Sequence, residues 1–268
     1  MIIIDDLKRS VDITSKPERV ISLIPSITET LISFGLEKEI IAVTNFCNLP
    51  PEVTETKEKI GGPKHLNIDK IISLKPDLVI ANAEENEKEE IEILEKNNIK
   101  IFVTFPKNVD DAINMMKKLS LITWTKEKAD IIINKIEKEY YELKNKKKNE
   151  HPFKVLNLIW KNPFMSVSGD TFIGDMLKII KGKNIFEKSE KRYFNVHIEE
   201  IIKEDPEVII LPSEPYKFSK EDTLEIKSYQ EISAVKNDRI FLLDGEIFSW
   251  YGVHLLESFK FLKKFKFV

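Results

Sequence analysis

The stretch NIDKIISLKPDLVI (Asn67–Ile80) returns in the second half of the chain as HIEEIIKEDPEVII (His197–Ile210). Ile68, Ile71, Ile72, Pro76 and Ile80 fall on Ile198, Ile201, Ile202, Pro206 and Ile210 at a constant offset, and acid falls on acid, Asp69 on Glu199 and Asp77 on Glu207. Each copy reads as a short amphipathic helix, a proline that cannot continue it, and a run of apolar residues bounded like a buried strand. Strands that are apolar at consecutive positions belong to parallel sheets covered on both faces. Two such copies far apart in one chain argue for two related α/β lobes. The plainer alternative is two generic helix-to-strand units that share a turn-forming proline.

Outward from the first copy, the same alternation continues. Met1–Ile4 and Val11–Ile13 flank a polar turn, as a hairpin does. Arg19–Ile24 reads as a buried strand, followed by a helix from Pro25 that Gly35 stops. Ile40–Thr44, Asp77–Ala81 and Ile99–Val103 read as further strands, and Glu84–Asn97 as an acidic helix. In the second half, Lys154–Trp160, Val208–Leu211 and Arg239–Leu243 are predicted strands, and Phe172–Ile180 and His254–Phe265 helices. Between the halves, Lys107–His151 lacks both glycine and proline. Ala129, Ile132, Ile133, Ile136, Tyr140 and Leu143 recur there at three- and four-residue steps. This predicts two helices, Asp110–Ile122 and Lys126–Lys148, broken at Thr123–Thr125 with Thr125 as cap. The second would be a rod of roughly 35 Å. The expected fold is therefore α/β, two Rossmann-like lobes with mainly parallel sheets joined by one long rigid α-helix: residues 1–122, a linker at 123–150, and 151–268. A stiff linker predicts a preformed cleft that depends little on closure.

A chain of 268 residues fits two lobes, each burying its own core. Lysine plus arginine (42) nearly balances aspartate plus glutamate (45), and the net charge of −3 gives no general attraction to nucleic acid. One cysteine, Cys47, excludes an internal disulfide framework. No apolar run approaches the ~20 residues of a membrane span, and the first residues contain neither a signal-peptide apolar region nor a lipobox cysteine. If Met1 is the native start, these residues read as those of a cytoplasmic protein.

No phosphate-binding glycine loop, nucleophile elbow or HExxH helix is present, and the expectation is a protein that is not an enzyme. Aromatic and proline-bearing loops stand where strands should end: Phe46 with Cys47, then Pro63, then Trp160 with Phe164, Tyr193 with Phe194, Tyr216, and Trp250 with Tyr251. Ligands of open α/β sheets lie beyond the carboxyl ends of the strands. Large rings there suit a large, flat, partly apolar ligand. Rings in loops also serve simply to seal a lobe. Cys47 reads as a small buried hydrophobe, a reactive thiol or a soft ligand for a ligand-borne metal.

RVISLIPSITETLISFG (Arg19–Gly35), VTNFCNLPPEV (Val43–Val53), LNIDKIISLKPDLVIA (Leu66–Ala81), WKNPFMSVSGDTFIGDML, LPSEPYKF and DGEIFSWYG together resemble the helical-backbone substrate-binding proteins of ABC importers. Those proteins receive cobalamin, haem or ferric siderophores, and the cobalamin branch is the one this sequence looks most like. The resemblance implies a monomer with no covalent cofactor and a corrinoid or related metal chelate held between two lobes. It implies delivery to an ABC transporter permease, with Asp69 and Glu199 docking on it. His254 stands where the subgroup often has arginine, and could offer an imidazole to a metal centre. Rival readings are a haem or siderophore receptor, a cytosolic cobalamin carrier, and an enzyme with Cys47 as nucleophile or with His254 as base.

Overall fold

The computed structural model describes residues Met1–Val268 and resolves them into two compact units. The first comprises Met1–Pro106, Asp110–Glu137 and Tyr251–His254; the second Lys107–Val109, Lys138–Trp250 and Leu255–Val268. The first unit opens with a hairpin, β1 (Ile2–Ile4) and β2 (Ser10–Asp12). It continues through β3 (Val20–Ser22), α1 (Pro25–Ser33), β4 (Ile40–Val43), α2 (Pro51–Thr54), β5 (Glu58–Lys59), and the small hairpin β6 (Gly61–Gly62) and β7 (His65–Leu66). After these come α3 (Ile68–Ser73), β8 (Leu78–Asn82), α4 (Lys88–Lys96), β9 (Ile101–Thr104) and α5 (Val109–Ile122). Its main sheet has the order β5-β4-β3-β8-β9, parallel throughout. Every residue of β3, β8 and β9 is buried, as the apolar runs require of a sheet covered on both faces.

Helix α6 (Lys126–Lys147) follows, with the unit boundary falling between Glu137 and Lys138. Five residues of its predicted stripe, Ala129, Ile133, Ile136, Tyr140 and Leu143, are buried, while the sixth, Ile132, is only partly so. The break before it is a Schellman turn, in which Thr125 N–H donates to the Ser120 carbonyl and Trp124 N–H to that of Leu121.

The second unit contains β10 (Phe153–Trp160), β11 (Met165–Val167), α7 (Phe172–Ile179), β12 (Gly182–Asn184), β13 (Tyr193–Asn195), α8 (Ile198–Glu204) and β14 (Val208–Pro212). It ends with α9 (Lys220–Lys227), α10 (Ser233–Lys236), β15 (Ile240–Leu243), α11 (Glu246–Ser249) and α12 (Leu255–Lys264). β10 is parallel to β12 and β14, and β14 to β15, but β11 and β13 add an antiparallel extension off the far end of β10. That extension was not expected from the sequence; its strands are three residues each, too short for alternation to register.

The repeat occupies equivalent places in both sheets. α3 leads into β8 beside β3, and α8 leads into β14 beside β10. Both helices end on a left-handed residue, Lys75 at φ 48° and Asp205 at φ 47°, immediately before the shared proline. The paired acids then seize the start of the neighbouring strand. Asp77 accepts from the N–H groups of Glu18 (2.8 Å) and Arg19 (3.1 Å), and Glu207 from that of Lys154 (2.7 Å). In return, the Arg19 guanidinium donates to the last carbonyls of the first helix, Leu74 and Lys75, and the Lys154 ammonium to Glu204 of the second. Cations belong at helix C-termini, where unpaired carbonyls gather.

Asp77→Ala should therefore lower the unfolding free energy by about 1–2 kcal/mol, because two strand-entry amides lose a charged acceptor. Lys75→Gly should raise it by roughly 0.5–1 kcal/mol, since glycine accepts the left-handed conformation without a Cβ penalty. Urea-unfolding midpoints of the two variants moving in the same direction would contradict this account of the junction.

Candidate ligand-binding site

In the first unit the carboxyl ends of the strands carry a cluster of loops. Phe46 follows β4 and is 64% exposed. Its ring lies close against Gly62 in the β6–β7 hairpin, where an added Cβ would sit 3.1 Å from the ring edge. Pro63, half-buried, forms the turn of that hairpin, and its carbonyl accepts from Asn86 Nδ2 at 3.0 Å. Lys64 donates to the Glu84 carbonyl and pairs with Glu87. Asn82, the last residue of β8, gathers these pieces. Its Oδ1 accepts from the amides of Glu84 and Glu85, and its Nδ2 donates to Thr104 Oγ1 at the end of β9 (3.2 Å) and to the Tyr251 hydroxyl (2.8 Å).

Tyr251 reaches this network because Tyr251–His254 is part of the first unit, although the sequence places it among the second-half loops. Gly252 makes that possible. It has φ 91°, and a Cβ there would collide with Thr30 Oγ1 on α1. Val253 N–H donates to the same hydroxyl at 3.1 Å, and His254 Nδ1 stands 3.3 Å from the Glu29 carboxylate, one residue earlier on that helix. Tyr251 and His254 are both buried.

Cys47 lies beneath Phe46, and its Sγ is 3.2 Å from the hydroxyls of both Thr28 and Thr44. Burial pushes the thiol up from its ordinary value, against the hydrogen bonds from the two threonines. A nucleophilic cysteine needs the opposite shift.

In the second unit the rings form two groups. Trp160, at the end of β10 and 42% exposed, meets Tyr216 edge-on with centroids 5.6 Å apart, and Tyr216 meets Phe218 at 4.8 Å. Phe194 meets Phe186 at 5.5 Å, Phe164 and Phe194 pack partly buried against the same core, and Tyr193 beside them is exposed. Lys161, next to Trp160, is held by Asp222 and Glu225, whose hydrogen bonds raise it above the ordinary lysine range. Asp222 also accepts from Ser219 N–H at the start of α9, so the Trp160 loop is anchored to a helix terminus. The loops bearing Phe46, Trp160 and Tyr216 each carry a cis proline, Pro50, Pro163 and Pro215. Trp250 is buried at the end of α11.

Asp69 and Glu199 occupy the first turns of α3 and α8, both exposed. Sequence reasoning missed Asn82, Asn86, Thr104 and Gly62. Asn82 closes a strand otherwise wholly apolar (LVIAN), and a polar residue ending such a run was the available signal.

Residues 20–247 match the periplasmic binding protein family. The vitamin B12-binding protein of Vibrio cholerae serotype O1 is 26% identical over 234 residues, covering 85% of this chain and 82% of that protein. The crystal structure of the periplasmic vitamin B12 binding protein of Vibrio cholerae superposes with a TM-score of 0.82 at 24% identity, over 92% of this chain and 95% of the other. A periplasmic heme-binding protein of Roseiflexus sp. has the same fold, with a TM-score of 0.81 at 19% identity over 92% and 96%.

Gly252→Ala should cost about 2–3 kcal/mol of stability, because both the positive φ and the approach to Thr30 exclude a side chain. Thermal unfolding checks it. A melting temperature equal to that of the unsubstituted protein would mean that the Tyr251–His254 segment is not held against α1.

Proposed function

The chain belongs to the periplasmic binding protein family, and from that premise we propose that it is the corrinoid-binding component of an ABC importer, working in the cell envelope without catalysing a reaction. The observation that carries the reading is the pair of exposed, buttressed rings: Phe46 on its glycine in the first unit, and Trp160 braced by Tyr216 in the second. Large apolar rings held rigid at the carboxyl ends of strands cost hydration unless a ligand covers them. The similarity to vitamin B12-binding proteins over most of the chain supplies the ligand class.

The cations favour a corrinoid over an anionic siderophore. Lys64, Lys161 and Arg192 are each engaged by acceptors of their own unit: Glu84 and Glu87, Asp222 and Glu225, and Asp170. A polyanionic chelate would have to break those pairs. Cyanocobalamin should therefore bind when titrated calorimetrically, and Trp160→Ala should weaken it at least about tenfold, the loss of one well-packed aromatic contact. No heat with cyanocobalamin, alongside saturable binding of haemin or a ferric siderophore followed by absorbance, would transfer the reading to that ligand.

Asp69 and Glu199 are proposed to dock on basic residues of the transporter's permease. They are exposed, equivalent within the repeat, and placed at helix starts that favour an acid. In vesicles containing the reconstituted importer, Asp69→Ala with Glu199→Ala should reduce uptake severalfold while leaving ligand affinity in solution unchanged. Unchanged uptake would remove the docking role.

A further inference from the structure

At the pole of the first unit opposite the strand carboxyl ends lies an open groove of about 880 Å³ that none of the preceding chemistry uses. Its apolar lining is Phe34 at the end of α1, and Leu121 and Trp124 at the end of α5; its basic lining is Lys16, Lys126 and Lys128. Glu127 also faces it. We propose that this groove and its rim dock the first unit on an anionic phospholipid surface, with Trp124 entering the headgroup region and the lysines meeting lipid phosphates.

Trp124 is the most informative residue. Two helices deliver their C-termini here by the same Schellman turn. In α1 the left-handed position is Gly35 (φ 93°), with Gly35 N–H bonding Ile32 and Leu36 N–H bonding Leu31. In α5 the equivalent position is Trp124 (φ 60°), with Trp124 N–H bonding Leu121 and Thr125 N–H bonding Ser120. Glycine suits that conformation, and a bulky side chain there is an outlier. The fold gains nothing visible in exchange: Trp124 is 56% exposed and Leu121 beside it 39%. Local strain combined with exposed tryptophan fits a ring kept outside the core for a partner to take up.

The charges define the partner. Lys128 has no carboxylate within ion-pair distance; its chain folds over Gly35, bringing the ammonium to the C-terminal end of α1. Lys126 pairs with Asp130 in a solvated contact that exchanges readily, and Lys16, itself exposed, pairs with the half-buried Glu39. Tryptophan with lysines around a shallow apolar floor is the composition of a membrane-interface belt. A basic rim adds attraction to anionic lipid that salt screens. No helix of the chain is long and apolar enough to cross a membrane, so the contact proposed is with the surface.

Cosedimentation of the full chain with phosphatidylcholine vesicles, with and without about one-third phosphatidylglycerol, tests the proposal. Partitioning should be at least about tenfold stronger on the anionic vesicles and fall at high salt, as expected for three basic side chains near the surface. Lys126→Glu with Lys128→Glu should abolish that difference. Trp124→Gly should weaken binding at least fivefold while its melting temperature stays at or above that of the unsubstituted chain, so lost binding cannot be attributed to unfolding. Equal partitioning on neutral and anionic vesicles, or unaltered binding by Trp124→Gly, overturns the proposal. Equally tight binding of monomeric dihexanoyl-phosphatidylglycerol also overturns it, in favour of a pocket for a soluble amphiphilic anion.

Discussion

Each half of this chain depends on one junction, in which a helix end and a strand start are tied by a reciprocal pair of charged hydrogen bonds. An acid just after the proline holds an amide at the start of the adjacent strand, that of Arg19 or Lys154, and the side chain of the same residue donates to carbonyls at the end of the helix. The proline denies the helix another turn, and the left-handed residue before it reverses the chain so that the next strand enters beside its neighbour. Register follows directly. Val20 faces Leu78 in one sheet and Val155 faces Val208 in the other. A slip of one residue would detach the acid from its amide and turn every buried side chain of the strand to the opposite face.

This explains which parts of the molecule were legible in sequence. The repeat was visible because backbone geometry, not a ligand, dictates it: proline and acid are needed at fixed steps, and apolar residues at every strand position. The break at Thr123–Thr125 was visible through Thr125 as a helix cap, and the helices end and begin at Ile122 and Lys126. By contrast, the sequence placed Tyr251 with the second half, and nothing local marks the Asn82 amide as its partner, 169 residues away. Gly252 was the one available clue, since a glycine inside an aromatic run signals a close backbone approach. The antiparallel pair β11 and β13 was likewise hidden, because three-residue strands carry no periodicity.

Candidate site residues range from exposed through half-buried to buried, a spread that sequence alone could not resolve. Phe46, Trp160 and Tyr193 are exposed, whereas Cys47, Trp250, Tyr251 and His254 are buried. The exposed rings are apolar surface at the loop tips, while buried Tyr251 and His254 act on how the loops are held. Tyr251 illustrates this: its hydroxyl completes an amide whose other hydrogen bonds fix the ends of β8 and β9. A residue of that kind affects binding through position, and its removal would be felt first as a looser loop.

The two copies diverge where the repeat stops constraining them. Ser22 and Asn157 occupy equivalent places, opposite Ile80 and Ile210. Ser22 is satisfied within its unit, accepting from Thr28 and donating to the Ile24 carbonyl, while the Asn157 Oδ1 atom is buried without a hydrogen-bond partner. An unsatisfied buried acceptor is costly, and it lies on the strand that ends in Trp160. Beyond these positions the first strand leads into α1, whereas the second runs on to Trp160 and the antiparallel extension. The halves thus share their helix-to-strand junctions and differ in their loops. A scaffold built this way can change its ligand by loop replacement while leaving the charged helix-to-strand ties untouched.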